Sequence, residues 1–62
     1  MSIEREPVVR KAEVTSDGAN LYTVSLFRSD GNDWRQINEV QFIGLSANLY
    51  AYIGRYLQTG YY

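Results

Sequence analysis

The sequence predicts an α+β domain, in which an antiparallel meander of three or four strands is followed by one C-terminal helix packed on one sheet face. Apolar and polar side chains alternate with a period of two as far as Phe42, as strands with one buried face require. Apolar side chains then repeat with helical spacing from Ser46 to Leu57. Clusters of Gly, Asp, Asn and Ser, which favour turns, separate the alternating runs.

The strands are predicted, in chain order, over residues 8–14, 21–29 and 34–43. Residues 1–7 lack apolar periodicity and end at the only proline, so we expect a flexible arm beside a single domain of residues 8–62. The turn-rich residues 15–20 close the first hairpin, and the Asp-Gly pair within residues 30–33 favours a tight second turn. The third strand is predicted as one bent strand, or as two short strands separated by a bulge at Ile37-Asn38.

Strict alternation divides the strand side chains between two faces of the sheet. The face toward the helix is predicted to contain Val8, Ala12, Val14, Tyr22, Val24, Leu26, Trp34, Val40 and Phe42. The opposite face, called the open face below, is predicted to contain Lys11, Thr23, Ser25, Phe27, Arg35, Ile37 and Gln41. The first set is expected to pack under the helix, which leaves the second free to bind a partner.

Both ends of the helix are marked in the sequence. Ser46 is a predicted N-cap, because its hydroxyl can accept a hydrogen bond from a first-turn amide, and Gly60 is predicted to end the last turn. Gly54 costs roughly 1 kcal/mol relative to alanine inside a helix, which suggests that a neighbouring backbone approaches it closely. The apolar stripe, which Tyr52 borders, consists of Leu49, Ile53, Tyr56 and Leu57.

Composition narrows the possible chemistry. The 62 residues include neither cysteine nor histidine, so disulfides, thiolate metal sites and the usual general base near neutral pH are excluded. The carboxylates of Asp30 and Asp33 fit a turn better than a cation loop, since no glutamate follows at the required spacing. We therefore expect no enzyme, no metal and no cofactor.

Size and charge indicate the class of protein. A chain this short buries little apolar surface by itself, and oligomerisation is the remaining source of stability, so we expect a homodimer. No long apolar run occurs near residue 1, so we expect no signal peptide, no membrane span and a cytoplasmic location. The formal net charge of −1 argues mildly against nucleic acid without excluding a local basic patch.

The open face suggests two functions. Phe27 could stack on an unpaired base while Lys11 and Arg35 contact phosphate, and the accompanying polar side chains are those of Thr23, Ser25 and Gln41. The same face could instead be covered by a second copy or another protein, with Lys11 and Arg35 paired across strands to Glu13 and Glu39. Single-stranded nucleic-acid binding is the first hypothesis, and a protein-binding adaptor or small regulator of a host or phage type is the second.

Three tyrosines suggest a further contact surface. Tyr50, Tyr52 and Tyr56 cannot all face one sheet, so at least one is expected to project outward. Tyrosine is enriched at protein interfaces, because it adds a large amphipathic contact at low entropic cost. The three are therefore predicted to contribute to a dimer or partner interface.

The order of these elements resembles a known family. The run from Val40 to Ser46 leading into the helix, preceded by the run from Tyr22 to Arg28 and by an Asp-Gly turn with Trp34 after it, resembles the positive-cofactor-four fold of single-stranded-DNA-binding transcriptional coactivators. The resemblance covers roughly residues 8–58. It implies a homodimer of curved antiparallel sheets, each backed by a helix, which binds melted or single-stranded DNA across the sheet in transcription.

Overall fold

The computed structural model describes residues 9–62, and its fold confirms the predicted α+β class. The described residues form three strands in the order β1-β2-β3, each antiparallel to its neighbour, and a helix that packs on β1 and β2. The elements are β1 (Arg10–Ser16), β2 (Leu21–Asp30), β3 (Asp33–Ile43) and α1 (Ala47–Thr59). The arm predicted over residues 1–7, and Val8 with it, lie outside the described residues.

Both hairpin turns form where the sequence predicts them. In the first, Gly18 and Asn20 adopt φ values of 113° and 58°, and the Asp17 amide donates to the Leu21 carbonyl over 2.8 Å. In the second, Gly31 has a φ of 65° at the first of two central positions, as a type II′ turn requires. This turn pairs Asp30 with Asp33 and joins the two longest strands.

The predicted caps delimit α1. The Ser46 hydroxyl accepts from the Leu49 amide at 3.4 Å, and Gly60 has a φ of 81° with its amide donating to the Tyr56 carbonyl over 2.8 Å. The explanation suggested for Gly54 is wrong, since a Cβ added there would meet no atom within 4 Å. Its cost in helix propensity is not offset by a close contact within the described residues.

The core is small. Among residues 9–62, the fully buried side chains belong to Val24 and Leu26 of β2 and to Leu49 and Tyr56 of α1. The Tyr56 hydroxyl donates to the Phe27 carbonyl over 2.8 Å, so the buried ring also has its polar end satisfied. The helix is therefore held on the central strand by both apolar burial and a hydrogen bond.

A bulge in β3 changes which side chains face the helix. Leu26 pairs with Asn38, yet the next residue, Phe27, pairs with Gln36, so Ile37 is the extra residue of β3. The irregularity lies where the sequence predicts it, but β3 remains one strand of 11 residues that contains the bulge rather than two short strands. An extra residue reverses the alternation on its N-terminal side, which moves every side chain from Asp33 to Gln36 to the face opposite to the predicted one.

Three face assignments are corrected as a result. Trp34, predicted under the helix, lies on the open face opposite Ser29. Arg35, predicted on the open face, pairs with Arg28 and lies on the helix side. Ile37, also predicted on the open face, packs against the core. Alternation across the bulge was the wrong assumption in all three cases.

Candidate functional sites on the two sheet faces

The open face is a polar surface with one aromatic end. Its side chains form rows across the three strands, which are Lys11–Phe27–Gln36, Glu13–Ser25–Glu39 and Thr15–Thr23–Gln41. Lys11, Thr23, Ser25, Phe27 and Gln41 thus share one face as predicted. The Thr23 hydroxyl donates to the Asp17 carboxylate, so it is already engaged within the protein.

Lys11, Phe27 and Trp34 form a cluster at the end of the open face near the second turn. The Lys11 Nζ lies 4.8 Å from the centre of the Phe27 ring and 4.5 Å from that of Trp34, both within cation–π range. Trp34 is 43% exposed, and Phe27 is half-buried. We call these three residues the aromatic cluster. The ammonium lies over both rings, so a base can stack on the ring faces turned toward Lys11 only when this side chain moves aside.

Carboxylates limit where an anion could lie on this face. Lys11 Nζ is 3.4 Å from a Glu13 carboxylate oxygen on the same strand, rather than paired across strands. Glu39 lies in the same row as Glu13. Phosphate is therefore disfavoured over the Glu13–Glu39 row, and the aromatic cluster is the part of the open face best suited to a nucleic-acid base.

The helix side carries the opposite charge beyond the end of α1. Arg10 pairs with Arg28, and Arg28 pairs with Arg35, which places three arginines in one row across the sheet. We call this the arginine row. The Arg10 Nη1 donates to the Leu57 carbonyl over 3.3 Å, so this guanidinium is used to cap the helix C-terminus. Arg28 and Arg35 are exposed.

A groove runs along the arginine row. One part, of about 330 Å³, is lined by Arg10, Arg28, Ile37, Tyr56, Thr59, Gly60, Tyr61 and Tyr62. A second part shares Arg28, Ile37 and Tyr62 with the first and adds Arg35 and Gln36. The Tyr62 ring meets the Tyr56 ring edge-on, with the two ring centres 6.1 Å apart. The groove thus combines guanidinium groups with aromatic walls.

The tyrosines of α1 divide between the core and the surface. Tyr50 is 58% exposed, as expected for at least one of the three. Tyr56 is 1% exposed, so its assignment to a dimer or partner interface is wrong, because the sheet already covers it. Tyr52 is half-buried with its ring 5.6 Å from that of Phe42, and its hydroxyl accepts from Asn38 over 2.6 Å.

Burial changes the titration of Tyr52. Removal from water raises the pKa of its hydroxyl above the usual tyrosine value, because the charged tyrosinate loses hydration. The Asn38 hydrogen bond acts in the opposite direction and lowers this pKa, while Tyr62 adds a smaller upward contribution. The Tyr52 hydroxyl therefore stays neutral to a higher pH than that of an ordinary tyrosine, and its hydrogen bond with Asn38 joins α1 to β3.

Comparison with protein-family models, curated proteins and solved structures found no match to this chain. Within residues 9–62, no helix has both the length and the apolar character needed to cross a membrane.

Sequence reasoning missed Trp34 and the arginine row. Both depend on the bulge, since Trp34 reaches the open face and Arg35 joins Arg28 only when β3 holds one extra residue. A signal was present in the apolar pattern of β3: Phe42 and Val40 are two residues apart, whereas Ile37 is three before Val40. Such a change of spacing inside a strand indicates a bulge.

Proposed function

We propose that this chain is a small, non-enzymatic protein that binds single-stranded nucleic acid on the open face, with the aromatic cluster as the contact for bases. The observation that supports this is the position of exposed Trp34 beside Phe27, with the Lys11 ammonium within 5 Å of both ring centres. Stacking of a base on such a ring contributes about 1–3 kcal/mol and does not depend on sequence.

The proposed contacts differ from those predicted from the sequence. Trp34 takes the stacking role together with Phe27, while Arg35 lies on the other side of the sheet and does not contribute to this surface. Lys11 contacts the phosphate next to the stacked base, for which its ammonium must leave both its ion pair with Glu13 and its position over the two rings. Ser25, in the next row of the open face, can accept or donate to a neighbouring base, and Gln41 lies one row further away.

A homodimer in the cytoplasm is part of the proposal. Only four side chains are fully buried among residues 9–62, while large apolar side chains are exposed on both sides of the sheet. A second copy that covers some of them would add the apolar burial that one copy lacks. The exposed residues that would be candidates for such a contact are Ile43, Leu45, Tyr50 and Leu57.

Intrinsic fluorescence tests the proposal directly, because Trp34 is the only tryptophan. Titration with oligo-dT at two salt concentrations is expected to quench Trp34 emission, with weaker binding at the higher salt. Phe27→Ala is expected to weaken binding by about ten- to a hundredfold, as loss of one stacking contact implies. Gln58→Ala, an exposed position of α1 outside both the open face and the candidate dimer contacts, is the control and should leave affinity unchanged. Absence of quenching at low salt refutes the proposal.

A protein-binding adaptor is the second candidate. It is favoured by the two carboxylates of Glu13 and Glu39 on the open face and by Ile43, which is 80% exposed at one end of β3. In this case the same face binds a protein and oligo-dT has no effect. Sedimentation of the wild-type chain and of Ile43→Ser distinguishes a self-contact there from a contact with another protein, since only a self-contact shifts the mass observed.

A further inference from the structure

We propose that the groove along the arginine row is a second binding site, which takes a nucleoside phosphate: a phosphate on the guanidinium groups of Arg28 and Arg35 and a planar base against Tyr62. It goes beyond the open-face proposal, because Arg28 and Arg35 project from the helix side and Trp34 from the other. Neither site needs the other for its own contacts.

Two guanidinium groups of like charge face each other in the arginine row. Arg28 lies directly opposite Arg35, and like charges in directly opposite strand positions are destabilising. Within residues 9–62, the ion pair formed is that of Lys11 with Glu13, so no carboxylate of this part of the chain lies within 4 Å of Arg28 or Arg35. A bound anion would remove the repulsion and gain charge-assisted hydrogen bonds at the same time.

The groove is rich in positive charge. Among residues 9–62, those that line it include three arginines and no acidic residue. On this side of the sheet the row next to the Arg28–Arg35 pair, toward the turn, is Asp30–Asp33. These two carboxylates lower the net charge of the surface without lining the groove, and no carboxylate of residues 9–62 forms an ion pair with Arg28 or Arg35.

The aromatic wall of the groove favours a phosphate that carries a base over an inorganic anion. Tyr62 lines both parts of the groove, beside both Arg28 and Ile37. An inorganic anion would use the arginines alone, whereas a base attached to the phosphate would also cover the Tyr62 ring and the Ile37 side chain. Arginine in addition matches phosphate geometry with two parallel donors, which favours a terminal phosphate.

Calorimetric titration of the full chain with four probes tests the proposal. The probes are thymidine, inorganic phosphate, dTMP and oligo-dT carrying a 5′ phosphate. We expect dTMP to bind more tightly than inorganic phosphate and thymidine not to bind. The oligonucleotide is titrated into Phe27→Ala, in which the open-face contact is weakened: a free nucleotide is the natural ligand class if dTMP equals it in affinity, and a strand end if the oligonucleotide is clearly tighter and loses that advantage without its 5′ phosphate.

Charge-removing variants give the decisive result. Arg28→Gln and Arg35→Gln keep most of the side-chain length, and each is expected to weaken dTMP binding about tenfold, as loss of a charge-assisted hydrogen bond implies. Each should also raise the melting temperature of the ligand-free protein by about 2–5 °C, because a like-charge pair is removed. A purely structural arginine would give the opposite change in melting temperature.

Two controls separate this site from the open face. Arg55→Gln removes an exposed arginine of α1 that does not line the groove, and should leave dTMP affinity unchanged. Phe27→Ala should weaken open-face binding, read from Trp34 emission, without altering dTMP binding in calorimetry. The proposal is overturned if dTMP does not bind, if inorganic phosphate binds as tightly as dTMP, or if Arg28→Gln and Arg35→Gln bind like wild type.

Discussion

Replacement of Tyr56 by phenylalanine isolates the hydrogen bond that holds α1 on β2. The ring is 1% exposed and would remain in the core, whereas the hydroxyl that donates to the Phe27 carbonyl over 2.8 Å would be lost. A typical hydrogen bond of this kind contributes about 1 kcal/mol net to the free energy of unfolding. A chain of 62 residues has roughly 3–9 kcal/mol in total, so the loss is a substantial fraction.

The corresponding change in melting temperature follows from the size of the chain. An unfolding entropy of about 2.1 cal/mol/K per residue amounts to roughly 0.13 kcal/mol/K over 62 residues. A loss of about 1 kcal/mol then lowers the melting temperature by about 7–8 °C. Thermal unfolding followed by circular dichroism measures this change in melting temperature. Urea unfolding followed by circular dichroism and by Trp34 fluorescence measures the free energy of unfolding with two independent probes.

Tyr50→Phe is the matched control for this measurement. Its ring is 58% exposed on the same helix, and its loss of a hydroxyl should change the free energy of unfolding by less than about 0.5 kcal/mol. If Tyr56→Phe is as stable as Tyr50→Phe, the Tyr56 hydroxyl does not anchor the helix, and apolar burial alone holds α1 on β2.

Three other variants test separate features. Gly54→Ala should stabilise the protein by up to about 1 kcal/mol in urea unfolding, since no atom lies within 4 Å of the added Cβ; destabilisation would show that a second copy covers this position. Gly60→Ala should destabilise it by more than about 1 kcal/mol, because φ is 81°, a conformation that L side chains rarely adopt, and the Arg10 guanidinium that caps the helix would have to shift from the new Cβ. Tyr52 has a raised pKa when folded, so the unfolded chain loses its proton first, and stability should fall as pH rises from the ordinary tyrosine value through the folded one. Alkaline unfolding of Tyr52→Phe should lack this component, and an unchanged pH dependence would contradict it.

Much of the architecture follows from the sequence because local rules agree with the fold. The alternation in β2, the Asp-Gly turn and the Ser46 and Gly60 caps each involve residues close together in the chain, and all form as predicted. The class of fold then follows, since a helix of this length with one apolar stripe must cover the sheet that precedes it.

The candidate sites were less predictable, because they depend on which residues of β3 point to each face of the sheet. Alternation assigns side chains to faces correctly only while each residue pairs with one residue of the next strand. Ile37 has no such partner, so the alternation changes there. Lys11 and Phe27 were assigned correctly because they lie on strands without a bulge. Tyr56 was misassigned for another reason: a tyrosine suits a core or an interface equally well until its hydroxyl partner is known.

The extra residue at Ile37 has a consequence for how this chain should be compared or engineered. The number of residues between the second turn and the bulge decides which face of the sheet each of them occupies. A deletion of one residue there would exchange Trp34 and Arg35 between the two faces without altering either residue. Alignment by residue type alone would then equate positions that point in opposite directions. In this hairpin, the number of residues in β3 determines the chemistry of each surface as much as the identity of the residues does.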